Sequence, residues 1–265
     1  MKKILALVLA LVLCASMVCV ASAETALEKV LAAGKLVVGT EATYPPYEYL
    51  DDNANFAGCD IWLAQQIADA LGVKLEVVDQ AFDGIIPAVQ AGGVDIGIAA
   101  FTCTPERAEV IDFSDLYETS AQLLIVKAGN GEKYADKESL KGLKVGAQLG
   151  TIQSGLVESA LPDSELFELD TYPNLALETV NGNIAGFVVD YAVGMAMVNS
   201  SDGALEVAKF EFSAEEASFG KACVLAKGSD DLLAKVNEVI AKVTSDGSYQ
   251  AAYDAAVAAT GETGE

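Results

Sequence analysis

Histidine is absent from the 265-residue sequence, and arginine occurs only once. Without histidine there are no Ser-His-Asp triads, no Cys-His pairs and no metal sites with histidine ligands. Most hydrolase mechanisms are excluded with them, and only chemistry carried out by carboxylates stays open. We expect neither a metal nor a cofactor.

Basic residues are scarce as a class. The chain has 16 lysines and arginines against 39 acidic residues, which gives a formal net charge of −23. A polyanion of this strength is repelled by nucleic acid and by anionic lipid surfaces. Both are therefore excluded as binding partners.

Cysteine is limited to five residues, of which Cys59, Cys103 and Cys223 lie beyond the N-terminal apolar run. An odd number cannot all pair, and the spacing matches no metal motif. We expect three small buried residues. One disulfide stays an alternative in an oxidising compartment, and the sequence leaves open whether Cys59 pairs with Cys103.

Only one apolar run is long enough to consider as a membrane segment, and it lies near the N-terminus. Lys2 and Lys3 precede the apolar residues 4–20, and residues 21–23 form a small-residue cleavage site. The pattern predicts a cleavable signal peptide over residues 1–23 and export to the periplasm or the cell exterior. A membrane anchor is the alternative, although a run of about 17 residues is at the short limit for a span.

Lipoprotein anchoring requires a small residue directly before the lipidated cysteine. Cys14 follows Leu13 and Cys19 follows Val18. Anchoring of the mature protein by a lipid is therefore disfavoured.

Strand-like and helix-like segments alternate in two series, in a chain that is 52% hydrophobic and 21% charged. This order predicts an α/β fold with two units, each a parallel sheet flanked by helices. The first series has strands at 36–40, 74–79 and 94–99 and helices at 60–71 and 83–91. The second has strands at 122–127, 143–147, 167–170 and 186–189 and helices at 151–160 and 174–180. A strand at 221–225 and helices at 230–244 and 248–259 follow.

Ligands of open parallel sheets bind outside the carboxyl ends of the strands. In this chain those ends lead into loops after Thr40, Ala99, Ala147 and Val189. Binding residues are therefore expected in these four loops.

Arg107 is the only arginine, beside 15 lysines. Thr104 is predicted to be an N-cap and Pro105 the first residue of a helix, which places Arg107 in the first turn. A cation there opposes the helix dipole unless an anion binds in front of the helix. We expect backbone N–H groups and the guanidinium to hold one carboxylate together. Surface pairing of Arg107 with Asp112 or Asp115 is the alternative.

The second series offers two further polar positions. Gly150 and Thr151 link a strand to a helix, and Thr151 can cap that helix while its hydroxyl faces a ligand. Asp190 ends another strand, where a carboxylate can hold an ammonium group. The alternatives are an ordinary strand–helix connection and an N-cap for the following helix.

Two aromatic residues and one acid complete the candidates. Tyr44, in the proline-rich loop after the first strand, and Phe82 are candidate pocket walls, with core packing as the alternative. Glu41, near the same strand end, is expected to contact a polar or basic group of a ligand, or else to face solvent.

These segments, in this order, resemble the type 2 periplasmic binding proteins for polar amino acids, the solute receptors of ABC importers. The resemblance covers nearly the whole mature chain and depends on stretches at 38–48, 58–61, 82–88, 104–107, 112–114, 140–142, 150–151 and 246–249. It implies two Rossmann-like lobes joined by a two-strand hinge, with crossings near 118–120 and 219–221. Lobe 1 would then comprise residues 24–118 and 221–265, and lobe 2 residues 119–220.

The resemblance also implies a role for each polar candidate. Arg107, helped by Thr102 and Thr151, would grip the α-carboxylate of the ligand. Asp190 would bind its α-ammonium.

The side chain of the ligand would lie between Tyr44 and Phe82, with Glu41 near its tip. Ala100 belongs to the same binding surface, but it stands where many relatives have serine or glycine. One polar contact of the family is therefore expected to be missing here.

The implied function is capture of a free amino acid, polar or cationic, by hinge closure and its delivery to the permease subunits of an ABC importer. We expect a monomer without enzymatic activity. Two alternatives stay open: a periplasmic cyclohexadienyl or arogenate dehydratase on the same fold, with Glu41 as acid, and a sensory ligand-binding domain. The sequence contains no signalling domain and no second membrane span, which disfavours the sensory alternative.

Overall fold

The computed structural model describes residues 24–217 and 219–261. The predicted signal peptide, residues 1–23, lies outside the described residues. Among the helices of the described part, none is both long enough and apolar enough to cross a membrane.

Two series of strands and helices alternate along the chain, as predicted. The strands are β1 (Lys35–Thr40), β2 (Thr43–Tyr44), β3 (Glu48–Leu50), β4 (Phe56–Ala57), β5 (Lys74–Asp79), β6 (Ile96–Gly97), β7 (Ile111–Phe113), β8 (Glu118–Ser120), β9 (Gln122–Lys127), β10 (Lys144–Gln148), β11 (Glu165–Leu169), β12 (Gly186–Asp190), β13 (Leu205–Val207), β14 (Phe219–Lys221) and β15 (Val224–Ala226). The helices are α1 (Ala26–Ala33), α2 (Cys59–Leu71), α3 (Phe82–Gln90), α4 (Pro105–Val110), α5 (Ile152–Ala160), α6 (Tyr172–Asn181), α7 (Tyr191–Ser200), α8 (Ala214–Ala217), α9 (Asp230–Ser245) and α10 (Ser248–Ala259), with a 3-10 turn at Lys137–Leu140.

Two five-stranded sheets form the centres of the two lobes. The strand order is β5-β1-β6-β15-β7 in the first and β11-β10-β12-β9-β13 in the second. In each sheet the first three strands are parallel, and the strands after them are antiparallel to their neighbours. The predicted parallel sheets are therefore present, but each also contains antiparallel strands. The reason is connectivity: β9 and β15 follow directly on the strands that link the lobes, so no crossover helix turns them parallel.

The link between the lobes is a two-stranded antiparallel ribbon of β8 and β14. Its register pairs Glu118 with Lys221 and Ser120 with Phe219. This ribbon is the two-strand hinge of the expected fold class, and β15 after it belongs to the first sheet.

Two predicted strands differ from the observed ones. The strand predicted at 94–99 is reduced to Ile96–Gly97, and Ala100 beyond it has a φ of +47°. The strand predicted at 221–225 is two strands. Lys221 ends β14 in the hinge, whereas Val224 begins β15 in the first sheet.

The cysteines of the described part are free thiols. Cys59 and Cys223 are buried, as expected, whereas Cys103 is half-buried. The disulfide alternative is therefore wrong.

Candidate functional site

A narrow cavity lies where the strand ends of the two lobes meet. Its wall includes Glu41 after β1, Ala99 and Ala100 after β6, Gln148 at the end of β10 and Asp190 at the end of β12. The structure also brings every predicted site residue to this one wall: Glu41, Tyr44, Phe82, Ala100, Thr102, Arg107, Thr151 and Asp190.

Arg107 lies in the first turn of α4, as its sequence context predicts. Thr104 caps this helix, its hydroxyl accepting the Arg107 backbone N–H at 3.2 Å, and Pro105 is the first helical residue. The guanidinium donates through Nη1 to the Thr102 carbonyl and through Nη2 to the Gly150 carbonyl, each at 2.9 Å. Since Gly150 belongs to the second series of elements, the second bond joins the two sides of the cleft.

The Arg107 side chain is half-buried, and its guanidinium lies against two aromatic rings. Its central carbon lies 5.5 Å from the ring centres of Phe82 and Phe101, which stack on each other at 4.7 Å. Burial lowers the pKa of Arg107 to about 10, so it stays charged at neutral pH. The surface alternative is wrong, because Asp112 pairs with Lys227 instead, at 2.7 Å.

Thr151 occupies the N-cap position of α5, but its side chain makes no capping hydrogen bond. The hydroxyl donates to the Gln148 carbonyl at 2.6 Å. The prediction that Thr151 caps this helix through its side chain is therefore wrong. Gly150 before it adopts a φ of +77°, and an added Cβ would lie 2.8 Å from the Cβ of Asp83 across the cleft. A glycine at this position allows the two sides to approach closely.

Asp190 is buried, and three side chains donate to its carboxylate. Oδ2 accepts the Tyr44 hydroxyl at 2.6 Å and the Lys221 ammonium, and Oδ1 accepts Gln122 Nε2 at 2.5 Å. Gln153 supports this arrangement by donating to Gln122 Oε1 at 2.8 Å. Asp190 holds the N-cap position of α7, but its side chain is not used for capping.

The sequence analysis missed four polar residues of the cavity wall: Glu48, Gln148, Gln153 and Lys221. Lys221 is the charged residue among them that contacts Asp190. Its side chain is 1% exposed, and the ammonium lines the cavity beside Asp190. A lysine in a strand that was otherwise apolar was the available signal. The backbone of Lys221 bridges to Thr102, so the hinge strand directly adjoins the segment that carries Arg107.

Glu41 is 4% exposed, so the solvent-facing alternative is wrong. It accepts hydrogen bonds from the Thr43 hydroxyl and, at 3.3 Å, from Gln148 Nε2. Burial raises the pKa of Glu41 to about 7, and the charge of Asp79 adds to the rise. The cavity therefore contains a carboxyl group that can exchange a proton near neutral pH.

The two predicted aromatic walls differ in their surroundings. Tyr44 is buried and lies against the rings of Tyr47 and Tyr172, with ring centres 5.8 and 5.2 Å away. Phe82 is half-buried, and the Arg107 guanidinium lies near both its ring and the ring of Phe101. Both rings line the cavity in addition to packing in the core, so the two interpretations of each residue are compatible.

Ala100 contributes its backbone rather than its side chain. Its N–H donates to Asp60 Oδ2 at 2.7 Å, and Tyr117 donates to the same oxygen at 2.9 Å. Ala100 has a positive φ of +47°, a conformation that glycine adopts more easily.

Three carboxyls lie beside Lys221: Glu48, which lines the cavity, the buried Asp60 and the half-buried Glu118. Burial raises the pKa of Glu48 well above its ordinary value, with the Asp60 charge as the next cause, and burial also raises the pKa of Asp60. Glu118 accepts the hydroxyls of Tyr47 and Tyr249, and burial raises its pKa to about 7. Since neighbouring buried carboxylates cannot all ionise, the raised pKa of Glu48 favours its protonated form.

Comparison with known proteins gives concordant matches. The family model for bacterial extracellular solute-binding proteins, family 3, matches residues 36–257. The L-cystine-binding protein TcyJ of Escherichia coli strain K12 is 32% identical over 228 residues, which cover 86% of this chain and 84% of that protein.

Two solved structures are similar over most of the chain. The amino acid ABC transporter substrate-binding protein AbpA of Streptococcus pneumoniae, bound to L-arginine, matches with a TM-score of 0.84 at 31% identity, covering 89% of this chain and 100% of that one. The ancestral amino acid-binding protein AncCDT-1, a precursor of cyclohexadienyl dehydratase, matches with a TM-score of 0.78 at 33% identity, covering 87% and 98%. This chain belongs to the bacterial extracellular solute-binding proteins of family 3.

Proposed function

We propose that the protein captures a free amino acid in the cavity between its two lobes and delivers it to the membrane subunits of an ABC importer. The observation that carries this proposal is the placement of Arg107 and Asp190 on the wall of one cavity. A cation and an anion at two positions in the same buried space complement the two charged groups of a zwitterion.

Arg107 is suited to hold the α-carboxylate. Within the described residues its guanidinium bonds only to carbonyl oxygens, so its charge has no acidic partner there. The remaining N–H donors of the fork stay available for a bidentate contact. Thr102 and Thr151 lie beside it on the cavity wall and extend the anion site.

Asp190 would hold the α-ammonium, and the side chain of the amino acid would extend between Tyr44 and Phe82 toward Glu41. A carboxyl group whose pKa is about 7 can accept a hydrogen bond from a polar side chain or ionise beside a cationic one. This favours polar or cationic amino acids as ligands.

Closure of the lobes supplies the mechanism of capture. The bond from Arg107 to the Gly150 carbonyl joins the two sides, and the ribbon of β8 and β14 is the place where they rotate. A ligand shifts the equilibrium toward closure only by its extra affinity for the closed arrangement. We assign residues 24–118 and 221–265 to lobe 1 and residues 119–220 to lobe 2. The exported protein would act as a monomer.

A thermal-shift screen of the twenty amino acids tests the proposal, on protein refolded from denaturant so that co-purified ligand is removed. Binding to the native state raises the melting temperature by mass action. We expect a subset of polar or cationic amino acids to stabilise the wild type and to fail with Arg107→Ala. Glu132→Gln, at an exposed position outside the cavity, serves as the control. Failure of all twenty on the wild type would contradict the proposal.

An enzyme on the same fold is the second candidate, and the protonation behaviour of Glu41 is the observation that favours it. A group with a pKa of about 7 is well placed to act as a general acid. Incubation with prephenate or arogenate and detection of the dehydrated product would support this activity. Stable binding of an unaltered amino acid without turnover would argue for transport.

A further inference from the structure

Lys221 is a buried cation in the cavity to which the proposed function gives no role. It lies in the hinge strand β14, opposite Glu118 of β8, and its side chain is 1% exposed. Its ammonium donates to Asp190 Oδ2 and lies 5.5 Å from the ring centre of Tyr47. An uncompensated lysine is costly to bury, so this position requires a partner of opposite charge.

The charge of Asp190 is therefore already neutralised from within the protein. The Tyr44 hydroxyl and Gln122 also donate to the carboxylate, so both of its oxygens have donors. The α-ammonium of an amino acid would be a second cation at one buried negative charge. Either two cations share Asp190, or one of them leaves it.

Glu48 on the cavity wall and the buried Asp60 offer Lys221 another position. Glu48 Oε2 and Asp60 Oδ1 have no hydrogen-bond partner in the described part of the chain, and both side chains are almost fully buried. Burial raises the pKa of Glu48, Asp60 and Glu118, and the nearby charge of Lys221 opposes the rise in each. Lysine has a flexible four-carbon stem with a compact charge, which suits a short movement between carboxylates.

We propose that Lys221 is a specificity-determining residue whose ammonium competes with the α-ammonium of the ligand for Asp190 and moves toward Glu48 and Asp60 when an amino acid binds. The inference depends on the proposed function, because it requires amino acid binding at this cavity. As a consequence, the α-ammonium contributes less to affinity here than at a carboxylate without an internal cation.

The test compares the wild type with Lys221→Met, which keeps the length of the side chain and removes its charge. Lys227→Met is the matched control, since Lys227 pairs with Asp112 away from the cavity and is 48% exposed. Each protein is screened against the twenty L-amino acids by thermal shift. Calorimetry then compares L-arginine with guanidinovalerate and L-glutamine with glutaramate, which lack only the α-amino group.

We expect Lys221→Met to bind the amino acids about tenfold more tightly, on the scale of one charge-assisted hydrogen bond. Affinity for guanidinovalerate and glutaramate should stay unchanged, and Lys227→Met should match the wild type.

Equal or weaker amino acid binding by Lys221→Met would overturn the inference and leave the proposed function in place. Failure of all twenty amino acids on the wild type would instead remove the proposed function itself. If Lys221→Met does not fold, Lys221→Gln replaces it, because the amide keeps a neutral donor for Asp190.

Discussion

The two charged ends of the cavity differ in how the protein stabilises them. At the Arg107 end the charge meets two carbonyl dipoles and two aromatic rings. At the Asp190 end it meets a full opposite charge and two neutral donors. The Arg107 end can gain an anionic partner from a ligand, whereas the Asp190 end must exchange its internal cation for that of the ligand.

Because of this difference, we expect the two ends to contribute differently to ligand affinity and to the stability of the fold. A guanidinium is weakly hydrated and tolerates partial burial against dipoles and rings. Arg107 can therefore stay charged without an anionic partner until a ligand binds. A buried carboxylate beside a buried ammonium is coupled to the folded state, since the loss of either partner leaves an isolated charge. We expect changes at Asp190 to act first on folding and changes at Arg107 to act first on ligand binding.

The largest effect is expected for Asp190→Asn on stability. The substitution leaves Lys221 buried without its partner, and breaking such a pair costs about 3–5 kcal/mol. Urea unfolding measures the change in the free energy of unfolding. Adding Lys221→Met should recover most of the loss, whereas Asp112→Asn, which breaks the exposed pair with Lys227, should cost less than about 1 kcal/mol. If Asp190→Asn alone were as stable as the wild type, the Asp190 end would contribute no more to folding than the Arg107 end.

Arg107→Ala should act mainly on affinity. We expect binding of the most stabilising amino acid to weaken by about 2–5 kcal/mol, the scale for truncating one partner of a buried charge pair. The free energy of unfolding should change less than with Asp190→Asn. Arg107→Lys keeps the charge and loses the planar fork, so it should restore only part of the affinity. Unchanged affinity by calorimetry would contradict the assignment of Arg107 to the ligand carboxylate.

The same contrast explains what the sequence made predictable. Glu41, Arg107 and Asp190 were found because strand ends and helix starts are read from local patterns, and these positions meet at the edge of a sheet. Lys221 lies 31 residues from Asp190. Only the closed ribbon of the hinge brings the two together, and no local pattern reports that contact.

The structural details that were predicted wrongly also depend on contacts that no local pattern reports. Thr151 occupies the expected N-cap position. Its hydroxyl, however, donates to the Gln148 carbonyl, which the turn places within reach. The antiparallel direction of β9 and β15 follows from the hinge, which joins distant parts of the chain. The order of elements was therefore predictable, whereas features created by the docking of two lobes were not.

A smaller effect should appear in the pH dependence of stability through Glu41. Its pKa is raised from 4.5 to about 7, so the folded protein keeps a proton that the unfolded chain loses. The contribution of Glu41 to stability is therefore present below pH 4.5 and is lost as the pH rises through about 7. Glu41→Gln does not titrate, so it should match the wild type near pH 4.5 and be more stable by up to about 3 kcal/mol above pH 7.

Urea unfolding of both proteins at a series of pH values measures this difference. Glu118 also has a pKa raised to about 7, but it is present in both proteins and cancels in the comparison. A constant difference across the series would show that folding does not shift the pKa of Glu41. The proton-exchanging group of the cavity would then have to be sought elsewhere.

The smallest effect is expected at Thr151, and it sharpens the account of the Arg107 end. Thr151→Val keeps the shape of the side chain and removes the hydroxyl that donates to the Gln148 carbonyl at 2.6 Å. If this hydroxyl supports the anion site, ligand affinity should fall by about 1 kcal/mol, the net contribution of one neutral hydrogen bond. Thr151→Ser should retain it. A fall in melting temperature without any change in the calorimetric affinity would assign Thr151 to the turn alone, and would leave the guanidinium as the principal source of binding energy at this end.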